Sequence, residues 1–218
     1  MSLRDTWRWV RGRAVGERGG AAVEAALVTP VVLALFFGII ETGFVFKDEL
    51  AVAGAVRAGA RMASASPRTA TFAQSAVNQV VRTGGAVNFS ALDKNGESVV
   101  KEMWVYKVDP LPPLGTGTDK PIGSGTFDSC TTCVKFGWDP RTKAFVPTYS
   151  NWPSTSQNAC SASTVLGPPD RIGIYLKIRH EPFTGFVFPE AIFPHGITVS
   201  EASILTLEPM PIAGGCRP

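Results

Sequence analysis

The chain predicts an α+β protein. A long N-terminal helix, crossing a membrane in its first part, leads into a small head outside the membrane, with an antiparallel sheet and an irregular excursion held by disulfides. Three observations predict this. Between Ala21 and Phe46 only Glu24 and Glu41 are charged, in the only long apolar run of the chain. Later segments alternate residue types with the two-residue period of strands. All four cysteines, Cys130, Cys133, Cys160 and Cys216, follow the apolar run, so a membrane-crossing run would leave them on one side.

The charge-free stretch Ala25–Ile40 is slightly shorter than the ~20 residues of a usual spanning helix, but its flanks are mild and apolar. Pro30, Gly38 and Gly43 are tolerated in such helices. Helical character continues beyond it, because residues 47–65 contain no proline and are rich in alanine. Ala51, Ala55, Gly59 and Ala63 recur every four residues, and Ala34, Gly38 and Thr42 do the same within the apolar run. Small residues so spaced let helix backbones approach closely, so this stripe is expected to pack against other subunits or the chain's own head. Helix propensity alone would also favour the alanines. A helix from Ala21 to Ala65 is about 65–70 Å long, and Pro67 ends it. The chain therefore divides into a leader, 1–19, a helix, 20–66, and a head, 67–218.

Formal net charge is +3 and sits in the leader, where Arg4, Arg8, Arg11, Arg13 and Arg18 face only Asp5 and Glu17. The rest of the chain is neutral. Nucleic-acid binding is led by phosphate neutralisation, so a neutral body argues against that partner. Arginines before the run and none of their excess after it place the N-terminus in the cytoplasm and the head outside.

Glu24 is the anomaly. An unpaired carboxylate in hydrocarbon costs roughly 2.5–3.5 kcal/mol even on the forgiving insertion scales. A secretory signal is one reading, with a small-residue cleavage pattern at Ala51-Val52-Ala53, but the apolar region exceeds a usual signal core. A plain membrane anchor is the second. The third is a resemblance. The segment RGGAAVEAALVTPVVLALFFGIIETG, Arg18–Gly43, resembles the N-terminus of TadE-like pseudopilins of tight-adherence (Tad/Flp) type IV pili. That resemblance implies cleavage by prepilin peptidase between Gly19 and Gly20, so that Gly20 becomes the first residue and Glu24 the fifth. It further implies that Glu24 meets the new Gly20 amine of a neighbouring subunit. An α-amino group is cationic at neutral pH, and a paired carboxylate in low dielectric costs far less than an isolated one. Hydration of Glu24 in the headgroup zone is the simpler alternative. Glu41 lies on another face of the helix and marks the outer interface, where hydration is expected ahead of a pairing role.

In the head, residues 69–82 read as an amphipathic helix with Phe72, Ala76, Gln79 and Val80 on one face, widened by Val77 and Val81 and stopped by Gly84-Gly85. Glu102–Val108 reads as a strand, setting Met103 and Val105 against Trp104 and Tyr106. Ile172, Ile174, Leu176 and Ile178 alternate in a second strand. A further strand runs through Ile197, Val199 and Glu201, with a bulge expected at Ser203 before Ile204, Leu205 and Leu207. Phe183-Thr184-Gly185 and Glu208-Pro209 also resemble the family pattern, in a degenerate way.

Residues 109–169 hold nine of the 17 prolines and three of the four cysteines, and read as mostly irregular. The Cys130–Cys133 spacing suits a redox motif or half a zinc site, but no βαβ context and no second paired motif accompany it. Two structural disulfides are expected, their pairing open, with Cys216 tethering the C-terminal tail. Trp138, Tyr149 and Trp152 are expected to be the excursion's own small core rather than a binding patch.

No nucleophile elbow, phosphate loop or dinucleotide fingerprint is present. His180 and His195 have no spacing for a metal or a nucleophile partner and read as strand-end or surface residues. The expectation is a non-enzyme without cofactor or metal. By resemblance, it is a minor pseudopilin that primes, caps or stabilises assembly. Its partners are then other pilins or pseudopilins, the Tad assembly platform, prepilin peptidase and the lipid bilayer. The competing expectation is a single-pass anchored binding or adhesion protein outside any pilus.

Overall fold

The computed structural model describes residues 18–93, 95–112, 114, 115, 117–160, 167–182 and 196–210. The leader arginines Arg4, Arg8, Arg11 and Arg13, the Phe183-Thr184-Gly185 triplet, His195 and Cys216 lie outside them. Helix α1 runs Arg18–Ser64 with Pro30 inside it, and α2 runs Phe72–Thr83. The strands are β1, Val100–Lys107; β2, Cys133–Asp139; β3, Ala144–Ser150; β4, Arg171–His180; and β5, Ile197–Thr206. They form one five-stranded sheet in the order β3-β2-β1-β4-β5, antiparallel at every pairing.

The outer half of α1 and all of α2 cover one face of the sheet. Val52, Val56 and Ala60 of α1 and Phe72, Ala76, Val77 and Val80 of α2 share a core with Met103, Val105, Ile174 and Leu176. On the opposite face Trp104, Tyr106 and Tyr175 lie under Phe127 and Cys130. The Phe127 and Tyr175 rings stack with centroids 4.0 Å apart. Both faces of β1 are thus buried, which is why its alternation sets one apolar set against another.

Two glycines allow the closest approaches. A Cβ on Gly59 would lie 2.6 Å from Val80 Cγ2 and 3.1 Å from the Ala76 carbonyl oxygen, so its absence brings α1 against α2. A Cβ on Gly173 would lie 2.6 Å from Tyr106 Cε1, so β4 leaves room for the Tyr106 ring. That ring's hydroxyl donates to the Asp119 carbonyl at 3.1 Å. Burial pushes the Tyr106 phenol well above its ordinary range.

Two expectations are corrected. The excursion is not mostly irregular through its middle, because β2 and β3 form a hairpin there. Asp139 builds its turn, accepting from the Arg141 backbone N–H and the Thr142 hydroxyl, each at 2.9 Å. Lys143 then takes a left-handed φ of 51°. Pro147 is compatible with β3 because β3 is an edge strand. Nor does β5 bulge at Ser203: its register with β4 is unbroken from His180↔Ile197 to Arg171↔Thr206, and Ser203 stands opposite Ile174. The polar residues of that strand face partly open surface, which blurs the alternation without changing the pairing.

The aromatic residues of the excursion pack within the head. Trp152 is buried against Phe72 with ring centroids 5.4 Å apart, and Trp138 packs edge-on to Phe145 at 5.0 Å. Tyr149 remains 41% exposed. Cys130 and Cys133 are disulfide-bonded to each other, and Cys160 is disulfide-bonded as well.

Asp93 ties the loop before β1 to the sheet. Its Oδ2 accepts from Lys101 Nζ at 2.9 Å and from Arg179 Nη1 at 3.3 Å, and its Oδ1 accepts from the Asn95 and Glu97 N–H groups. The Lys101 hydrogen bond outweighs burial, and with those N–H groups holds the carboxyl at about 2, below its ordinary 3.8. A carboxyl with a depressed folded pKa stabilises fully above the ordinary range and loses that contribution as pH falls through the folded value. Thermal unfolding of the full chain in detergent should therefore show a decline between pH about 4 and about 2. The Asp93→Asn variant should melt lower at neutral pH and decline less over that window; an unchanged acid limb would count against the clamp. The same measurement on Gly59→Val should show a loss of about 1–3 kcal/mol from overpacking, whereas Gly54→Val, at a position where a Cβ meets nothing within 4 Å, should not.

Candidate membrane-spanning and assembly helix

Helix α1 has two halves with different surroundings. From Gly19 to Ile40 no residue is buried, and Leu27 and Ile39 are 70% and 74% exposed. From Glu41 onward one face is covered by the head. A helix with its apolar side chains bared over this length is long and apolar enough to cross a membrane. From Gly20 to Glu41 it rises about 31 Å at 1.5 Å per residue, which matches the ~30 Å hydrocarbon thickness of a bilayer. Gly19 and Gly20 stand exposed in its first turn, and Glu24 is exposed one turn further on.

Of the small-residue stripe, Ala55, Gly59 and Ala63 are buried against the chain's own head and Ala51 is half-buried there. Ala34 and Gly38 are half-buried in the bared half. They belong to a shallow apolar groove running from Val31 to Phe46. Thr42 donates its hydroxyl to the Gly38 carbonyl at 2.8 Å, which satisfies that polar group within the helix.

Glu41 is not a hydrated boundary residue. It is only 4% exposed, and its Oε1 lies 2.9 Å from His180 Nε2. Asp48, seven residues further along the same helix face, places Oδ2 2.8 Å from His180 Nδ1. The last residue of β4 thus stands between two carboxylates of α1. Both ring nitrogens lie within hydrogen-bond distance of a carboxyl oxygen of α1, so this arrangement clamps helix to sheet. The two carboxylates approach different edges of the ring and do not converge on one point. Among the described residues no group of three His, Cys, Asp or Glu side chains is placed to hold a metal. At the other end of the contact, the Glu208 N–H donates to the Ser64 carbonyl at 2.9 Å, satisfying one terminal carbonyl of α1. Glu208-Pro209, noted in sequence only as a degenerate ending, therefore caps the long helix.

The clamp escaped the sequence reading. The spacing of Glu41 and Asp48 signals one face, but their partner is 139 residues from Glu41 in the chain. Removing one member of a buried pair leaves the rest uncompensated, so His180→Leu should destabilise the docked head by about 3–5 kcal/mol. Limited proteolysis in detergent, with cleavage between α1 and the head as readout, checks this; protection equal to the parent chain would refute it.

The family model of TadE-like proteins matches residues 19–61. No curated protein and no solved structure matches the chain. The match begins at Gly19 and stops within the half of α1 that the head covers. Residues 19–61 are thus a TadE-like segment, in agreement with the resemblance read from the sequence, and it is the long helix that carries this identity.

Proposed function

We propose that the chain is a minor pseudopilin of a Tad-type pilus or related secretion machine, non-catalytic, held in the membrane by α1 and presenting its head outside. The observation that carries this reading is where the TadE-like match falls: it starts at Gly19, spans Glu24 and the bared helix, and ends in the docked half. The leader lies on the cytoplasmic side by its arginines. Prepilin peptidase removes it after Gly19 and frees the Gly20 amine. Glu24 lies about 6 Å further along the axis, in the inner edge of the hydrocarbon, where a carboxylate gains most from a cationic partner. That partner is the Gly20 amine of a neighbouring pilin. By the resemblance, the head is much larger than that of the small major pilins of such systems, which favours a priming, capping or stabilising role.

N-terminal sequencing of the mature membrane protein tests the reading. Gly20 as first residue is expected; Met1 would indicate a plain anchored binding protein, and Gly54 a secreted one. Glu24→Ala should leave processing intact and lower incorporation into the assembled machine about tenfold or more, in keeping with loss of a desolvated ion pair. Normal incorporation of that variant would sink the pairing.

A further inference from the structure

The cations of the head differ in their surroundings. Lys101, Lys107, Arg171, Lys177 and Arg179 each meet a carboxylate within 3.3 Å. Lys120 and Lys135 lie over the rings of Phe127 and Trp104, and Arg68 donates to the Gln157 carbonyl at 3.0 Å. Arg141 and Lys143 share the β2–β3 turn with Asp139. Arg57, Arg61 and Arg82 have no such company. They are exposed, and among the described residues their side chains enter no ion pair or hydrogen bond. All three stand on the helical layer. Arg57 and Arg61 are one turn apart on the solvent side of α1, about 6 Å along its axis. With Gln79 of α2 they line a shallow groove between the two helices, whose other lining residues are Gly54, Ala58, Met62 and Ala65. Arg82 follows Gln79 by three residues and so lies beside it on α2.

No acid from the same part of the chain balances this charge. From Leu50 to Leu92 the sequence has four arginines and no aspartate or glutamate. Glu49 precedes Arg57 by about 12 Å along the helix, and Asp93 is held by Lys101 and Arg179. An ordinary solvated surface intersperses both signs. A surface of one sign instead concentrates the opposite charge from solution. Lipid headgroups do not supply that charge, because Arg57 lies about 24 Å beyond Glu41, where the bared apolar half of the helix ends. The groove suits a peptide. Gly54, Ala58 and Ala65 have little or no side chain, so another backbone can come close, and a Cβ on Gly54 would meet nothing within 4 Å. A guanidinium fork takes a carboxylate in two parallel hydrogen bonds. Carboxylates about 6 Å apart, one helical turn of an acidic segment, reach Arg57 and Arg61 together.

We infer that the groove between α1 and α2 is a docking site for an acidic peptide segment of a partner protein, whose carboxylates pair with Arg57 and Arg61 while its backbone crosses Gly54 and Ala58. Arg82 adds charge at the margin. The site is on the head, on the side of the helices turned away from the sheet, and apart from the bared span. It goes beyond the reading above and needs neither removal of the leader nor a partner for Glu24.

The test uses the full chain in neutral detergent and two fluorescent alanine-based peptides, long enough at about 18 residues to form a helix. One carries glutamates in i, i+4 pairs and the other carries glutamines at the same places. Fluorescence anisotropy should show the glutamate peptide binding roughly tenfold more tightly. Arg57→Gln and Arg61→Gln should each weaken it about threefold to tenfold. Arg141→Gln, in the β2–β3 turn, should leave it unchanged. Gly54→Phe keeps every arginine but fills the groove, and should weaken binding as much as either arginine variant. All four substitutions are on exposed positions and should melt as the parent chain does. Equal binding of the two peptides, binding of neither, or equal losses in Arg57→Gln and Arg141→Gln overturns the site. Full binding by Gly54→Phe overturns the groove as its place. Dextran sulfate and phosphatidylglycerol vesicles represent the other anions. If either binds as tightly as the glutamate peptide and loses as much in Arg57→Gln, the assignment to an acidic peptide is overturned.

Discussion

The whole head depends on how closely the second half of α1 can lie on it. That approach is steric first. Gly59 lets the helix reach Val80 and the Ala76 backbone, and Ala55, Ala60 and Ala63 keep the rest of the seam shallow. Val52 and Val56 then enter the core fully, each worth about 1.5–3 kcal/mol of burial. The His180 clamp works at the opposite end of the same contact. It draws β4 onto α1 where the bared apolar half of the helix ends. A helix bared over its first half is thereby immobilised over its second half.

The sheet answers the same constraint. It is covered by two helices on one face and by the Phe127 loop with its Cys130–Cys133 disulfide on the other, so its middle strands carry apolar residues on both sides. Cross-strand geometry explains the residue types. Tyr106 crosses over Gly173 and finds its hydroxyl partner at Asp119, while Trp104 and Tyr175 meet edge-on with centroids 5.5 Å apart. Both ends of the chain's central strands are pinned by buried charge: Asp93 with Lys101 and Arg179 at one margin, Lys107 with Asp170 at 2.8 Å at another. The head is stabilised by packing and local ion pairs.

Legibility followed the range of the interactions. Periodic features came through: α1 and α2 ended within a few residues of their proline and glycine signals, and β1, β4 and β5 follow their two-residue alternation. The β2–β3 hairpin was lost among prolines and cysteines, because an edge strand tolerates Pro147 and a seven-residue strand with a register shift alternates poorly. The Ser203 bulge was read from a run of apolar residues that the unbroken β4 pairing absorbs. The TadE-like character of the start of α1 was legible because its signal is local, a few small residues and a glutamate leading into an apolar run. Glu41 was misread because its environment is set by a histidine on another element.

The amino-acid sequence by itself determined the long apolar helix, the place of Glu24 near its start and the strand-forming segments of the head. These are properties of composition and short-range periodicity, and solvent or lipid reads them without reference to the rest of the chain. Tertiary structure alone decided which half of that helix is bare, which small residues meet the head, and that Glu41 and Asp48 share His180. Those outcomes depend on contacts between residues far apart in the chain, whose energies exist only once the sheet has brought their partners to the helix.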